Sequence, residues 1–331
     1  MHLNVFPTNK KNLATGYGRM EQGLITALRE IGVDVTEVNQ KKAANGGITV
    51  IVGNPKFGAI KQMANTTRWL FTMSESTRVS QEWVDHINGL FERVLVPTPE
   101  LIPIYKDSGV VIPVSYVPLG VDLNAPPLTQ RPPNPDVFTW LTYSLGDTRK
   151  GAELVMMAFN RLFGGNPKYK LVIKCRDNPQ WLEGLQDPQM TIVRGETDDM
   201  GWHELLASAN AFVFPSRAEG FGLPPREAVL SGLPTIATQW LGMWDAENWG
   251  YPLRVANMRH AQFDFWDANA EGSLWAEPDI THLDKRMAWI AAHYREALRD
   301  AIDGREYLLT HFKWTDAAKA LVAVVEKAVQ A

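Results

Sequence analysis

The 331-residue chain carries 33 Lys and Arg against 37 Asp and Glu, a formal net charge of −4, and 45% of its residues are hydrophobic. These values exclude a disordered tail or a fibre, disfavour a nucleic-acid partner unless a basic groove is gathered on one face, and fit about two domains at roughly 150 residues each. The single cysteine, Cys175, rules out an internal disulfide or a cysteine-based zinc cage, and the seven histidines are scattered without metal-ligand spacing, so no metal is expected.

The opening MHLNVFPTNKKN lacks a cationic lead into an apolar run, and no stretch approaches the roughly 20 apolar residues of a membrane span. A cytoplasmic protein without stable membrane insertion is expected. Short apolar runs at Leu3 to Phe6, Ile48 to Val52, Arg68 to Met73 and Val94 to Pro97 read as strands, alternating with helical stretches at Arg19 to Ile31 and Gln81 to Phe91. From Ala125 to Pro135, APPLTQRPPNP holds five prolines in eleven residues and reads as an extended interdomain linker. The βα rhythm then resumes. Strands are expected at Phe138 to Tyr143, Lys170 to Cys175, Thr191 to Val193, Ala211 to Pro215 and Pro234 to Ala237, with helices at Ala152 to Leu162, Trp202 to Ala209 and Pro225 to Ser231. Ile280 to Asp303 is one long amphipathic stretch, and Thr315 to Gln330 a last helix with Thr315 as its N-cap. Such alternation predicts parallel sheets wrapped by helices, with ligands beyond the carboxyl ends of the strands and a cleft between two domains.

The segment with the most chemistry is AFVFPSRAEGFGLPPREAVLSGLPTIAT, residues 211 to 238. Gly220 and Gly222 let the backbone approach a ligand closely, and Pro224 and Pro225 open a helix whose positive end suits an anion or a polarised hydroxyl. Glu219 and Glu227, eight positions apart, can face one crevice, one gripping a sugar and the other a ribose, because a carboxylate accepts from both hydroxyls of a vicinal diol. The competing reading makes Glu219 a helix cap and Glu227 a charge that complements the helix dipole.

That segment resembles the signature of the retaining glycosyltransferases of family 4, in its proline-serine strand end, EGFGLP, and a second Glu completing E-x7-E. RKG at Arg149 to Gly151 before AELVMMAF resembles the family's KG motif. GYGRMEQGLITALREIGVDV, residues 16 to 35, is similar to its N-terminal glycine loop and first helix, and HFKWTDAAKAL to its closing helix. The resemblance implies the GT-B fold: an N-terminal Rossmann-like acceptor-side domain (1–124), a Pro-rich linker (125–136), a C-terminal Rossmann-like nucleotide-sugar domain (137–312) facing the first across a cleft, and a C-terminal helix (313–331) returning to the first domain. It implies a nucleotide diphosphate-sugar donor, retention at the anomeric carbon, and no cofactor or metal, in keeping with the absence of D-x-D.

The same resemblance implies the roles. Lys150 and Arg149 neutralise the donor diphosphate, Glu219 contacts the transferred sugar, and Glu227 the ribose. Gly220, Phe221, Gly222 and Leu223 supply backbone donors, and Gly16 and Gly18, with Tyr17 beside them, reach the donor. Lys174, ending the strand KLVIKC, approaches the nucleotide or else lies in solvent. Two positions depart from the pattern. Ser144 stands where many members have an Arg, and TMSESTR replaces the histidine after the fourth strand, leaving Glu75 to orient an acceptor or sugar hydroxyl. In the loop LGMWDAENWG, Gly242 and Asp245 are the nearest equivalents of family residues that touch the donor, and most of the 12 tryptophans are expected in cores.

The expected acceptor is a hydroxyl on a glycan, lipid or small molecule. The other readings are transfer to a nucleic-acid base or a protein, and a non-catalytic sugar-nucleotide-binding protein of the same fold. A nicotinamide oxidoreductase is disfavoured because Glu21 occupies the place of the third glycine in G-x-G-x-x-G.

Overall fold

The computed structural model describes residues 1–8, 15–38, 46–55, 65–123, 125–177, 179–262 and 270–330. The chain divides into two compact units: the described residues of 1–123, 265–274 and 312–331 form one, and those of 124–264 and 275–311 the other.

In the first unit the chain runs β1 (His2–Pro7), α1 (Gly16–Glu30), β2 (Asp34–Glu37), β3 (Ile48–Val52), β4 (Thr67–Phe71), α2 (Gln81–Leu90), β5 (Arg93–Val96), α3 (Leu101–Asp107) and β6 (Val114–Tyr116). The six strands pair in parallel in the order β2-β1-β3-β4-β5-β6. The β-branched run of β3 is buried from Thr49 onward, as a strand covered on both faces must be. Thr15 caps α1, its Oγ1 accepting from Gly18 N at 3.0 Å, and Ser80 caps α2.

In the second unit follow β7 (Phe138–Ser144), α4 (Ala152–Phe163), β8 (Tyr169–Cys175), β9 (Met190–Arg194), α5 (Asp199–Ser208), β10 (Ala211–Phe214), α6 (Leu223–Leu230), β11 (Thr235–Thr238), β12 (Tyr251–Leu253), β13 (Val255–His260), β14 (Leu274–Pro278), α7 (Ile280–Ala292) and α8 (Tyr294–His311). Six of these strands form a parallel sheet in the order β12-β11-β10-β7-β8-β9, while β13 and β14 pair separately. Renumbered within the unit this is the doubly wound 3-2-1-4-5-6 order, whose direction of winding reverses between β7 and β10. Each unit is Rossmann-like. The core under β7 and β8 is aromatic, with Trp140 stacked on Phe163 (ring centroids 5.8 Å apart) and Phe163 on Tyr169 (4.3 Å).

α9 (Trp314–Gln330) lies in the first unit and packs on α1. Trp314 decides the contact, since a Cβ at Gly23 would lie 2.2 Å from its indole and one at Gly120 2.3 Å from its backbone nitrogen. The helix starts one residue before the expected Thr315 cap. Asp122 Oδ1 accepts from Trp314 N at 2.9 Å, so a side chain distant in sequence takes the orphan donor.

Two further expectations change. The amphipathic stretch from Ile280 is broken at His293, because the next residue, Tyr294, is buried with its ring edge against Phe138 (4.9 Å) and its hydroxyl accepting from Asn210 at 3.2 Å. The proline-rich segment is docked onto the second unit. Arg131 donates to the carbonyls of Leu206 (2.7 Å), Ala209 (2.8 Å) and Ser231 (2.7 Å), satisfying the last carbonyls of α5 and α6, and burial pushes its guanidinium down to about 10.

Candidate active site

In the second unit, the loops leaving β7 and β10 meet at the point where strand order reverses, the position at which open α/β sheets bind ligands. After β7 a single 3₁₀ turn, Thr148–Lys150, ends at Gly151 with φ 68°. A Cβ there would lie 2.3 Å from the carbonyl oxygen of Pro215, so glycine is required for the turn to press against the loop after β10. Arg217 fastens the two loops. Its backbone N donates to Arg149 O at 2.7 Å, and its guanidinium donates to Thr148 O, to Glu153 (2.7 Å), and to both carboxylate oxygens of Glu277 (2.8 and 2.9 Å).

This framework brings Arg149, Lys150 and Glu219 together, although they are some 70 residues apart in sequence. Glu219 Oε1 accepts from Lys150 Nζ at 2.6 Å, from Ser216 Oγ at 2.6 Å and from Arg149 Nη1 at 3.4 Å. Arg149 also donates to Ala218 O at 2.9 Å and lies 3.5 Å from Asp147. Desolvation alone would raise the Glu219 carboxyl, but the charges of Lys150 and Arg149 and the bonds from Lys150 and Ser216 hold it below the usual carboxylate range. Glu219 is therefore an ionised carboxylate of fixed orientation beside two cations, 5% exposed.

Glu219 does not cap α6. Gly222, at φ 79°, occupies the cap position without a side-chain bond, and Leu223 opens the helix. Nor does Glu227 lie in the first turn of α6; its Oε2 accepts from Trp202 Nε1 on α5 at 2.7 Å. Gly220 and Phe221 are buried, the Phe221 ring lying 4.2 Å from the Arg226 guanidinium carbon. Arg226 locks this loop from behind: it donates to the carbonyls of Phe221, Gly222 (3.3 Å) and Gly242 (3.0 Å), and pairs with Asp245 at 2.7 Å. Asp245 is thereby corrected from a donor contact to a buried partner of Arg226, since both side chains are fully enclosed. Gly242 is likewise a packing position: its N–H donates to Glu219 O at 2.9 Å, and a Cβ would lie 2.4 Å from Phe221 N. Among the loop tryptophans only Trp249 is core; Trp240 and Trp244 are half-buried.

Lys174, at the carboxyl end of β8, is no solvated cation. It is 3% exposed and donates to Gly195 O; burial pushes its ammonium below the usual value, against the opposing pull of Cys175 and Glu196.

The remaining expected residues lie in the first unit. Gly16, Tyr17 and Gly18 form the first turn of α1, at the carboxyl end of its sheet. Gly16 is exposed and a Cβ there would meet nothing within 4 Å. Tyr17 Oη lies 3.1 Å from Thr72 Oγ1 and accepts from Met73 N at 3.3 Å, fixing the segment that leads to Glu75. Burial pushes the Tyr17 phenol up to about 12, with the Glu75 charge acting in the same direction. Glu75 itself is half-buried after β4.

Sequence reasoning missed Ser216, Arg217, Arg226, Trp202 and Tyr143. Tyr143 ends β7 with its ring edge on Trp202 (5.8 Å), and burial pushes its phenol up to about 12. Ser216, Arg217 and Arg226 lie within the 211–238 segment but were passed over for its glutamates and glycines; Trp202 and Tyr143 lie outside it. Among the described residues no group of three or more His, Cys, Asp or Glu side chains could hold a metal ion, and no helix is long and apolar enough to cross a membrane.

Two Rossmann-like units, the second with a buried carboxylate between cations at its sheet's switch point, have the GT-B fold, and the family whose pattern the sequence matches makes the class a glycosyltransferase. The sequence pattern described as "Family 4 Glycosyltransferase in conflict systems" matches residues 106–321, and the chain belongs to that family. It is similar to the serotype-specific mannosyltransferase WbdA of Escherichia coli, 32% identical over 128 residues, which are 35% of this chain and 15% of WbdA. The chain thus spans only a small part of that relative's length. Among solved structures it shares its fold with a sucrose-phosphate synthase from Thermosynechococcus elongatus (TM-score 0.69, 15% identity, 100% of this chain and 99% of that one) and with Anabaena HepE in complex with UDP and glucose (TM-score 0.70, 12% identity, 99% and 100%).

Proposed function

We propose that the chain transfers a sugar from a nucleoside diphosphate-sugar to a hydroxyl of a glycan, lipid or small molecule, with retention of anomeric configuration and without a metal. The observation that carries this reading is the contact of Glu219 with Lys150 at 2.6 Å and Arg149 at 3.4 Å, at the strand ends where open α/β sheets hold ligands. Family membership supports the reaction class, and the crystallised HepE, a fold neighbour, binds UDP and glucose.

The chemistry follows from these residues. Glu219 accepts hydroxyls of the transferred sugar, and Lys150 and Arg149 lie against the diphosphate. The bond from the anomeric carbon to the β-phosphate oxygen breaks and its electron pair leaves on the phosphate. The acceptor oxygen then bonds to the anomeric carbon on the same face, and its proton passes to the departing phosphate oxygen. No separate protein base is needed; catalysis is positioning together with stabilisation of the charge that develops on the phosphate. Glu75 is assigned to an acceptor or sugar hydroxyl, and Tyr17, with Gly16 and Gly18, to the donor.

The test is nucleotide release from UDP-, GDP-, ADP- and dTDP-sugars, without acceptor and in EDTA, for the unmodified protein, Glu219→Ala and Lys150→Ala. Slow release from one donor is expected, lowered about a hundredfold by either substitution, the scale of removing one preorganised electrostatic contact. No release from any donor, together with no shift of melting temperature by any of them, overturns the enzyme reading in favour of the non-catalytic one.

A further inference from the structure

Trp202 has no role in the reading above, yet it makes a polar contact with a proposed ligand-gripping carboxylate. Its indole lies in the first turn of α5, a helix started by Asp198, whose Oδ1 accepts from Gly201 N at 2.9 Å. The ring is held from two sides in edge-on contacts, by Tyr143 at the end of β7 (5.8 Å, 65°) and by Phe212 within β10 (6.1 Å, 78°). These two strands flank the switch point. The side chain is 6% exposed, and its one polar atom donates to Glu227 Oε2 at 2.7 Å. An indole N–H is a donor only, so this contact serves a carboxylate as acceptor and does not compete for the protons of a ligand.

A carboxylate on a helix can turn about its terminal torsion, which is broad and nearly two-fold, and it must stop turning to accept both hydroxyls of a vicinal diol at once. Trp202 supplies that stop. From the 2.7 Å contact and the two ring contacts, we infer that Trp202 is a positioning residue that orients Glu227 for the 2′,3′-diol of a ribonucleoside diphosphate, so that the site selects ribose over deoxyribose. The inference rests on the proposed function and on the assignment of Glu227 to the ribose that the family resemblance implies. It adds a residue and a specificity: discrimination at the sugar of the nucleotide, set by a side chain that does not itself touch the ligand. A site built around hydroxyl contacts rejects analogues lacking them, because its buried polar atoms are then left unpaired.

The experiment is calorimetric binding of UDP, GDP and ADP and of their 2′,3′-dideoxy counterparts to the full chain, for the unmodified protein, Trp202→Phe, Glu227→Gln and the double variant. Trp202→Phe keeps an aromatic ring in the Tyr143–Phe212 slot and removes the donor together with part of the ring volume. It is expected to weaken the preferred ribonucleotide about tenfold, the scale of one hydrogen bond to a charged group, while changing dideoxynucleotide binding less than about twofold. In the double variant the two losses are expected not to add, as for residues acting through one another. Equal weakening of both nucleotide forms, or no weakening of the ribonucleotide, overturns the inference while nucleotide binding itself stands. If no nucleotide binds the unmodified protein, the parent reading falls and this inference with it. Thermal unfolding of each variant shows whether a loss reflects misfolding, and Glu227→Gln gives a second route to the same ribose-specific loss.

Discussion

Two buried ion pairs hold opposite sides of one loop, and they are built for different ends. Arg226 and Asp245 are fully enclosed, and Nη1 of the arginine donates to the carbonyls of Phe221, Gly222 and Gly242. Lys150 and Glu219 each keep 6% of their side chains exposed, sit at the ends of the strands, and draw in Arg149 and Ser216 as well. The first pair serves the loop backbone and the Phe221 and Trp249 rings packed on the guanidinium. The second retains some exposure at the switch point of its sheet, where open α/β sheets hold ligands. A buried charge is costly unless paired, and the two pairs meet that cost differently, one beside loop carbonyls and the other beside a second cation and a hydroxyl.

The largest effect should come from breaking the enclosed pair. Arg226→Met leaves Asp245 buried without its cation and is expected to cost about 3 to 5 kcal/mol in denaturant unfolding. Arg226→Met with Asp245→Leu removes the stranded charge and is expected to recover much of that stability, since apolar replacements of buried pairs are often neutral. Nucleotide release should nevertheless stay low in the double variant, because the three loop carbonyls have still lost their donor. Recovery of both stability and release would show that Arg226 serves Asp245 alone.

That comparison also marks what was legible in the sequence. Nine of the fourteen strands among the described residues were, because a parallel strand covered on both faces reads as one apolar run, as Ile48 to Val52 does; β2, β6 and β12, edge strands of three or four residues, and the separate pair β13 and β14 were not. Glu219, Lys150 and the glycines near them were legible because each lies in a short segment whose residue types announce a close backbone approach; Gly151 against Pro215 is the physical reason for one of them. The partners were not. Trp202 stands 25 residues from Glu227, and Asp245 19 from Arg226, with strand order deciding each meeting. Residue types shared by a ligand-binding loop and a packing loop misled for the same reason, since Asp245 looks like a ligand group until Arg226 is seen against it. The break at His293 has no Gly or Pro to announce it and depends on where Tyr294 docks.

A smaller effect tests whether the backbone side of the loop feeds the charged side. At Gly242 an added Cβ would lie 2.4 Å from Phe221 N and 2.6 Å from Glu219 O, atoms that cannot swing away as a side chain could. Gly242→Ala is expected to cost about 1 to 3 kcal/mol, as overpacking does. It should also lower nucleotide release by displacing Glu219. Gly89→Ala is the control: it lies in α2 with nothing within 4 Å of its added methyl, and should stabilise by about 0.5 to 1 kcal/mol. If Gly242→Ala lowers stability without touching release, the two sides of the loop are independent.

The smallest effect is the pH dependence of the Glu219 pair. Its folded carboxyl is held below the ordinary value, chiefly because Lys150 and Arg149 overcome the opposing desolvation. The unfolded state therefore binds the proton more readily, and stability from this group is complete above the unfolded value of about 4.3 and is lost as pH falls through the lower folded value. Glu219→Gln removes the titration but keeps the shape. The gap in unfolding free energy between the unmodified protein and this variant should be flat from neutral pH to about pH 5 and narrow below about pH 4. Glu277, also held low, by Arg217 and Arg259, titrates in both proteins and cancels in the difference. A gap that stays flat through the acid limb would mean that Glu219 gains nothing from its cations in the folded protein.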